Sequence, residues 1–365
     1  WRRHPVAAGI PDMIRARLDG RVLDNVHHVS DLEHVANKPG ELLWVCCEAP
    51  GDAEIGDIAT RFHVHPLAVE DLRNSNQRPK LDDYGNQLFI VLFGAVPGDD
   101  GSIGLAEVHF LVGDGYLVTV TNAHVPALDA LDKQLDLRSE LGACTADMLM
   151  YRICDALVDS VFPLLDGVGK RIDDVEASVL ANPDRRAVHT IFDLKRDLLT
   201  LRHVTGPQRD LLQSLTTPRT DRIGKDTQLY LRDVYDHTVR IAEEVDSFRD
   251  LVSSLLDAYL TSISNRLGEQ TRRLAVVATI FLPLTFLTGF FGMNFAFLIG
   301  HIASPEAFFI GLSVMAVSVP ALVLVVTRVN RRADPLPAEH VRQDRLRRRR
   351  SSATAAPPSS SSDVL

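Results

Sequence analysis

Hydrophobic positions change their period along the chain, and the changes divide it. Residues 41–47 (ELLWVCC), 86–96 (NQLFIVLFGAV), 105–112 (LAEVHFLV) and 115–121 (GYLVTVT) are short apolar, β-branched runs bounded by Gly, Asp and Pro. That spacing predicts strands, and residues 1–125 read as an α/β region. After His124-Val125-Pro126 the period becomes helical. Asp147–Leu180 reads as one helix broken at Asn182-Pro183, with Arg186–Leu215 as its antiparallel partner, so residues 126–218 read as a helical hairpin region. From about Asp221 to Met293 the only Pro is Pro283 and helix formers run throughout, which predicts one helix of about 70 residues within 219–293.

The pattern then ceases to be amphipathic. No residue from Leu274 to Gly300 is charged, and Ala307 to Thr327 is a second uncharged run. Each is long enough to span a hydrocarbon core of about 30 Å, so both read as transmembrane helices, at about 274–293 and 307–327. The link 294–306 is short and can only join antiparallel spans. Arg272 and Arg273 precede the first span and Arg328, Arg331 and Arg332 follow the second, whereas the link has no Lys or Arg. The positive-inside rule therefore places both termini in the cytoplasm of a two-span membrane protein.

Charge sharpens this division. The net charge is −9, but residues 328–365 hold nine Arg against four acids, so the body is acidic and the tail basic. An acidic body argues against nucleic acid as a partner, because phosphate contacts need clustered Lys and Arg. The tail, with Arg347–Arg350 and a Pro/Ser/Ala run, reads as a disordered extension near anionic lipid. Four Cys at irregular spacing make neither a zinc ribbon nor a disulfide framework.

One face of the long helix is unusual. At steps of three and four residues it carries Asp257, Thr261, Ser264, Gly268, Thr271, Ala275, Ala278, Leu282, Thr285, Gly289 and Gly292, a stripe of small and polar residues. Positions off it, such as Val276, Ile280, Phe281 and Phe290, are bulky and apolar. Within a bilayer, small residues signal close helix packing or a conduction path. The stripe runs on into hydroxyls and an Asp outside the apolar span, as a path would, and enclosing a path takes a ring of identical chains. A homo-oligomer follows from that reading. The stripe holds no charge within the membrane, which suits an ion that keeps most of its water, as Mg²⁺ tends to. Gly292-Met293-Asn294 ends the helix where the membrane ends and also reads as an ordinary cap.

The runs YLTSISN at 259–265 and ATIFLPLTFLTGFFGMNF at 278–295, with a second span and a basic end, resemble the CorA family of magnesium channels. The Gly-Met-Asn triplet is that family's signature. HPLAVEDLRNSNQRPKLDDYGNQLFIVL at 65–92, DALVDSVF at 155–162 and YLRDVYDHT at 230–238 are similar to family blocks as well. The resemblance implies a homopentameric funnel: an αβα cytoplasmic sandwich with a mixed sheet, a long helical stalk, and two transmembrane helices. It implies that Gly292, Met293 and Asn294 form a selectivity filter for hydrated Mg²⁺, the transported and regulatory ion, with no organic cofactor. Thr285 is then a second polar ring, Leu274 and Leu282 are apolar constrictions, and Asp257 is an acidic ring at the inner end. Asp71 and Asp233, and at a second site Glu70 and Asp155, match acidic positions that hold regulatory Mg²⁺ between subunits.

The sequence departs from the family in two places. Gly268 and Thr271-Arg272 stand where a pore-lining Asn and then Met-Lys are usual, and no acidic cluster follows the signature triplet. The related ZntB branch, which moves zinc, is the alternative within transport, although the stripe has no His or Cys to suit Zn²⁺. A membrane-anchored enzyme or a scaffold is the alternative outside it. Gly167-Val-Gly169-Lys170-Arg171 fails as a phosphate loop, lacking the earlier Gly and the final Ser/Thr. His63-Val64-His65 has no third metal ligand nearby in sequence, so no catalytic residues are expected.

Overall fold

In a computed structural model of the chain, the described residues are 13–35, 40–74, 77–98, 103–137, 144–181, 184–217, 222–293, 300 and 305–333. The chain divides into two units, Trp1–Ile263 and Ser264–Leu365.

The first unit is built on a seven-stranded mixed sheet. Its strands are β1 (Met13–Leu18), β2 (Arg21–Val22), β3 (Leu43–Glu48), β4 (Lys80–Asp83), β5 (Leu88–Pro97), β6 (Ile103–Gly113) and β7 (Tyr116–Thr121), in the order β2-β1-β3-β7-β6-β5-β4. Only β3 and β7 pair in parallel; the other neighbours are antiparallel. The central strands read as continuous apolar runs because both faces are covered. Along β5, Leu88, Ile90 and Leu92 enter one core while Phe89, Val91 and Phe93 enter the other. The smaller core lies under α1 (Asp52–Arg61) and α2 (Pro66–Arg73), through Ile58 and Ala68. The larger lies under α3 (Pro126–Leu137), α4 (Ala146–Asp159), α5 (Phe162–Ala181), α6 (Arg185–Leu215) and the first part of α7 (Lys225–Phe291). The layers are therefore helix, sheet, helix.

One helix expectation is corrected. The run 147–180 is not one helix, because α4 ends at Asp159 and α5 begins at Phe162. Pro163 has no N–H to give the carbonyl of residue 159 and stands in the first turn of α5, where a helix start accommodates proline. The Ser160 hydroxyl also accepts a hydrogen bond from the Ala95 amide on β5 at 3.2 Å, fixing the break against the sheet. Asn182 and Pro183 lie outside the described residues; α6 opens on a cap at Asp184, whose Oδ1 accepts from the Ala187 amide at 2.8 Å.

Helix α7 supplies Leu231, Val234, Ile241, Val245, Val252 and Leu255 to the larger core, and its residues from Leu260 onward are mostly exposed. The division between the two units falls inside this helix. The second unit contains its remainder and α8 (Pro305–Ala333). Among the described residues, α7 and the Phe308–Val325 part of α8 are long and apolar enough to cross a membrane.

Candidate functional site

All ten residues expected along the path, Asp257, Thr261, Ser264, Gly268, Thr271, Leu274, Ala278, Leu282, Thr285 and Gly289, are exposed on α7. Leu274 and Leu282 are more than 70% exposed, within a contiguous run of exposed apolar residues that includes Val277, Phe281 and Phe286. The hydroxyls have a common geometry. Thr261 donates to the Asp257 carbonyl at 2.8 Å, Thr271 to Leu267 at 2.9 Å and Thr285 to Phe281 at 2.8 Å. With each proton committed to its own helix, each oxygen offers only lone pairs outward. Such a surface accepts hydrogen bonds from the water shell of a cation, whose protons point away from the ion.

At its C-terminal end α7 stops at Phe291, and the Gly292 amide donates to the Thr288 carbonyl at 3.0 Å. A Cβ at position 292 would sit 3.1 Å from that carbonyl oxygen, so glycine lets the last turn close. Met293 donates its amide to Phe290 at 3.3 Å and is exposed. Asn294 lies outside the described residues, as does most of the link 294–306.

Of the four regulatory candidates, the first unit brings two together. Asp155 on α4 and Asp233 on α7 flank a cluster in which Asp155, Asp159 and His237 offer ligand atoms within 4.8 Å of one another. His237 Nδ1 lies 3.2 Å from Asp159 Oδ1, and Nε2 lies 4.0 Å from Asp233 Oδ2. Burial raises the Asp155 carboxyl above its usual range, the Asp159 charge raises it further and Asp233 adds to this, against the opposing pull of His237. This arrangement can hold a cation. Sequence reasoning missed Asp159 and His237, although DALVD at 155–159 and the DVYDH spacing at 233–237 put acid pairs and the His one turn apart, which would have pointed to them.

The other pair lies on the opposite layer. Asp71 on α2 accepts from Lys80 Nζ at 2.6 Å, and Asp82 approaches the same amine at 3.3 Å. Partial burial alone would lower the Lys80 pKa, but these two carboxylates hold it above its usual value. Glu70 is exposed beside a groove that includes Val69 and Arg73. The His63-Val64-His65 run is structural: His65 accepts from the Leu67 amide through Nδ1 at 3.3 Å, capping α2, and stacks on Tyr84 with centroids 4.2 Å apart.

A family model described as CorA-like Mg²⁺ transporter protein matches residues 39–328. The cobalt/magnesium transport protein CorA of Thermotoga maritima is 38% identical over 239 residues, covering 65% of this chain and 68% of that one. The zinc transport protein ZntB of Yersinia enterocolitica is 27% identical over 233 residues, covering 63% and 70%. Among solved structures, the complete CorA magnesium transporter of Methanocaldococcus jannaschii superposes with a TM-score of 0.75 at 19% identity, covering 90% of this chain and all of that one.

Proposed function

The chain belongs to the CorA-like Mg²⁺ transporter family, a family of divalent-cation transporters rather than enzymes, and from that premise we propose that it conducts Mg²⁺ into the cell as a homopentamer in the cell membrane. Each subunit crosses the bilayer twice, with about 274–293 of α7 and 307–327 of α8, and both termini are cytoplasmic. The stripe from Asp257 to Gly289 lines the axis. Gly292, Met293 and Asn294 form the outer filter, and neutral oxygens in a ring hold a hydrated ion through its waters without gripping it too tightly to pass. Leu274 and Leu282 are constrictions that dewet, and Asp257 concentrates cations at the inner end. Inward movement is favoured by roughly 2.3 kcal/mol per charge per 100 mV of membrane potential.

Regulation rests on the carboxylates. Cytoplasmic Mg²⁺ bound between subunits, with Asp71 facing Asp233 and Glu70 facing Asp155 of neighbouring copies, neutralises like charges and favours the closed ring. In this arrangement Lys80 must release Asp71 when the ion arrives.

The observation that carries the reading is the exposed stripe of α7, with its hydroxyl protons turned inward and its oxygens outward. The zinc-transporting relatives keep Zn²⁺ in view, but the stripe offers no nitrogen or sulfur ligand. The test is uptake into proteoliposomes carrying a Mg²⁺-sensitive dye, for the wild type and Asn294→Ala, with Zn²⁺ in parallel. Mg²⁺ uptake lost in the variant supports the reading; movement of Zn²⁺ alone, or of neither ion, overturns it.

A further inference from the structure

Two arginines stand where the proposed path leaves the bilayer, and a cation passing them meets charge of its own sign. Arg272 and Arg273 immediately precede the apolar span. At about 100° per residue from Gly268, Thr271 lies about 60° to one side, Arg272 about 40° to the other, Glu269 about 100° and Arg273 about 140°. Arg272 therefore flanks the stripe closely, and Glu269 stands on its far side. One carboxylate grips both cations: Glu269 Oε2 lies 2.5 Å from Arg272 Nη2, and Oε1 lies 3.2 Å from Arg273 Nε. The hydrogen bond from Arg273, with the charge of Arg272, holds the Glu269 carboxyl below its usual range, so it is ionised at neutral pH. Ion pairs on an exposed helix add little stability. This pair's consequence is direction, since it draws the nearer guanidinium around the helix, away from the stripe.

Building on the pore reading above, we propose that Glu269 is a positioning residue for conduction, holding the Arg272 guanidinium off the ion path at its cytoplasmic mouth. Released, the long Arg272 side chain can swing over Gly268, where no Cβ occupies the space and nothing lies within 4 Å of where one would be. In a ring of copies the effect multiplies, because each subunit brings one arginine to the same mouth.

The test is Mg²⁺ uptake into proteoliposomes at low ionic strength for the full chain. Glu269→Gln is expected to lower the initial rate about fivefold or more, with the loss shrinking as salt screens the arginines. Adding Arg272→Gln to that variant should restore the rate, whereas adding Arg273→Gln should not. A structural role for Glu269 would not give rescue by one arginine and not the other. An unchanged rate in Glu269→Gln, or equal rescue by both second changes, overturns the proposal. Thr271→Cys and Ser264→Cys, treated with a charged thiol reagent, report on the pore itself. If the reagent blocks uptake but Glu269→Gln conducts normally, only the role of Glu269 falls. If the reagent leaves uptake intact, the stripe does not line the path and both readings fall together.

Discussion

Asp147 shows how much a single buried carboxylate settles. It is 8% exposed, and its Oδ2 accepts from the Gly224 amide at 2.8 Å and the Thr227 hydroxyl at 2.7 Å. The start of α7 is thereby tied to α4, with negative charge at the helix's positive end. Burial alone would raise the Asp147 carboxyl, but these hydrogen bonds, with others from Thr145 and Met148, outweigh it and lower the pKa. A carboxyl lowered on folding contributes stability above its unfolded value and loses it as pH falls through the folded one. Asp147→Asn should therefore cost about 1–3 kcal/mol at pH 7. The deficit should narrow as the pH drops below 4, measured as urea midpoints of the two proteins across pH. A constant difference between them would refute this account. In the sequence Asp147 is one acid among 48 Asp and Glu, and nothing in its neighbours announces a partner 77 residues away. Asp71 was legible only through the family block, and its pairing with Lys80, nine residues on, became visible when β4 placed the amine beside α2.

Among the elements, the long apolar strands and the long helix were legible, because burial on both faces and an unbroken run of helix formers leave continuous signals. β1 and β4 were not. Arg15 and Arg17 interrupt β1, where Arg17 Nε reaches Asp132 on α3 at 2.6 Å, and β4 is the four-residue edge strand KLDD. Polar residues that find partners only across the tertiary fold erase the period on which a strand is recognised. Element packing also explains Gly94, which in sequence is only a glycine within an apolar strand. A Cβ there would come within 2.6 Å of Leu157 Cδ2 and 3.3 Å of Val125 Cγ1, so β5 and α4 meet with no space for a side chain. Leu157 is fully buried and cannot yield freely. Gly94→Val should cost about 1–3 kcal/mol in unfolding free energy, whereas Gly167→Ala on an open face of α5 should stabilise or be neutral. Equal thermal midpoints for Gly94→Val and the wild type would show that the two elements can separate at no cost.

At the scale of the whole molecule, the proposed sensing and conduction sites share one helix. α7 carries Asp233 and His237 beside Asp155 and Asp159 near its start and the exposed stripe beyond. Asp155 is raised by burial and then by Asp159, so its ionisation as pH rises through the folded value costs stability, and a bound cation that replaces the proton recovers it. Mg²⁺ should therefore raise the unfolding midpoint of the intact protein. A site at 100 times its Kd contributes about 2.7 kcal/mol. If the stabilising ion is the regulatory one, the rise disappears in Asp155→Asn combined with Asp233→Asn and survives in Asn294→Ala. If the ion sits at the Gly292-Met293-Asn294 triplet instead, the pattern reverses. Mg²⁺ titrations of thermal unfolding for the three proteins, at fixed protein concentration, separate the two cases. A rise that persists undiminished in the double Asn variant would remove the carboxylates from regulation while leaving conduction through the stripe intact.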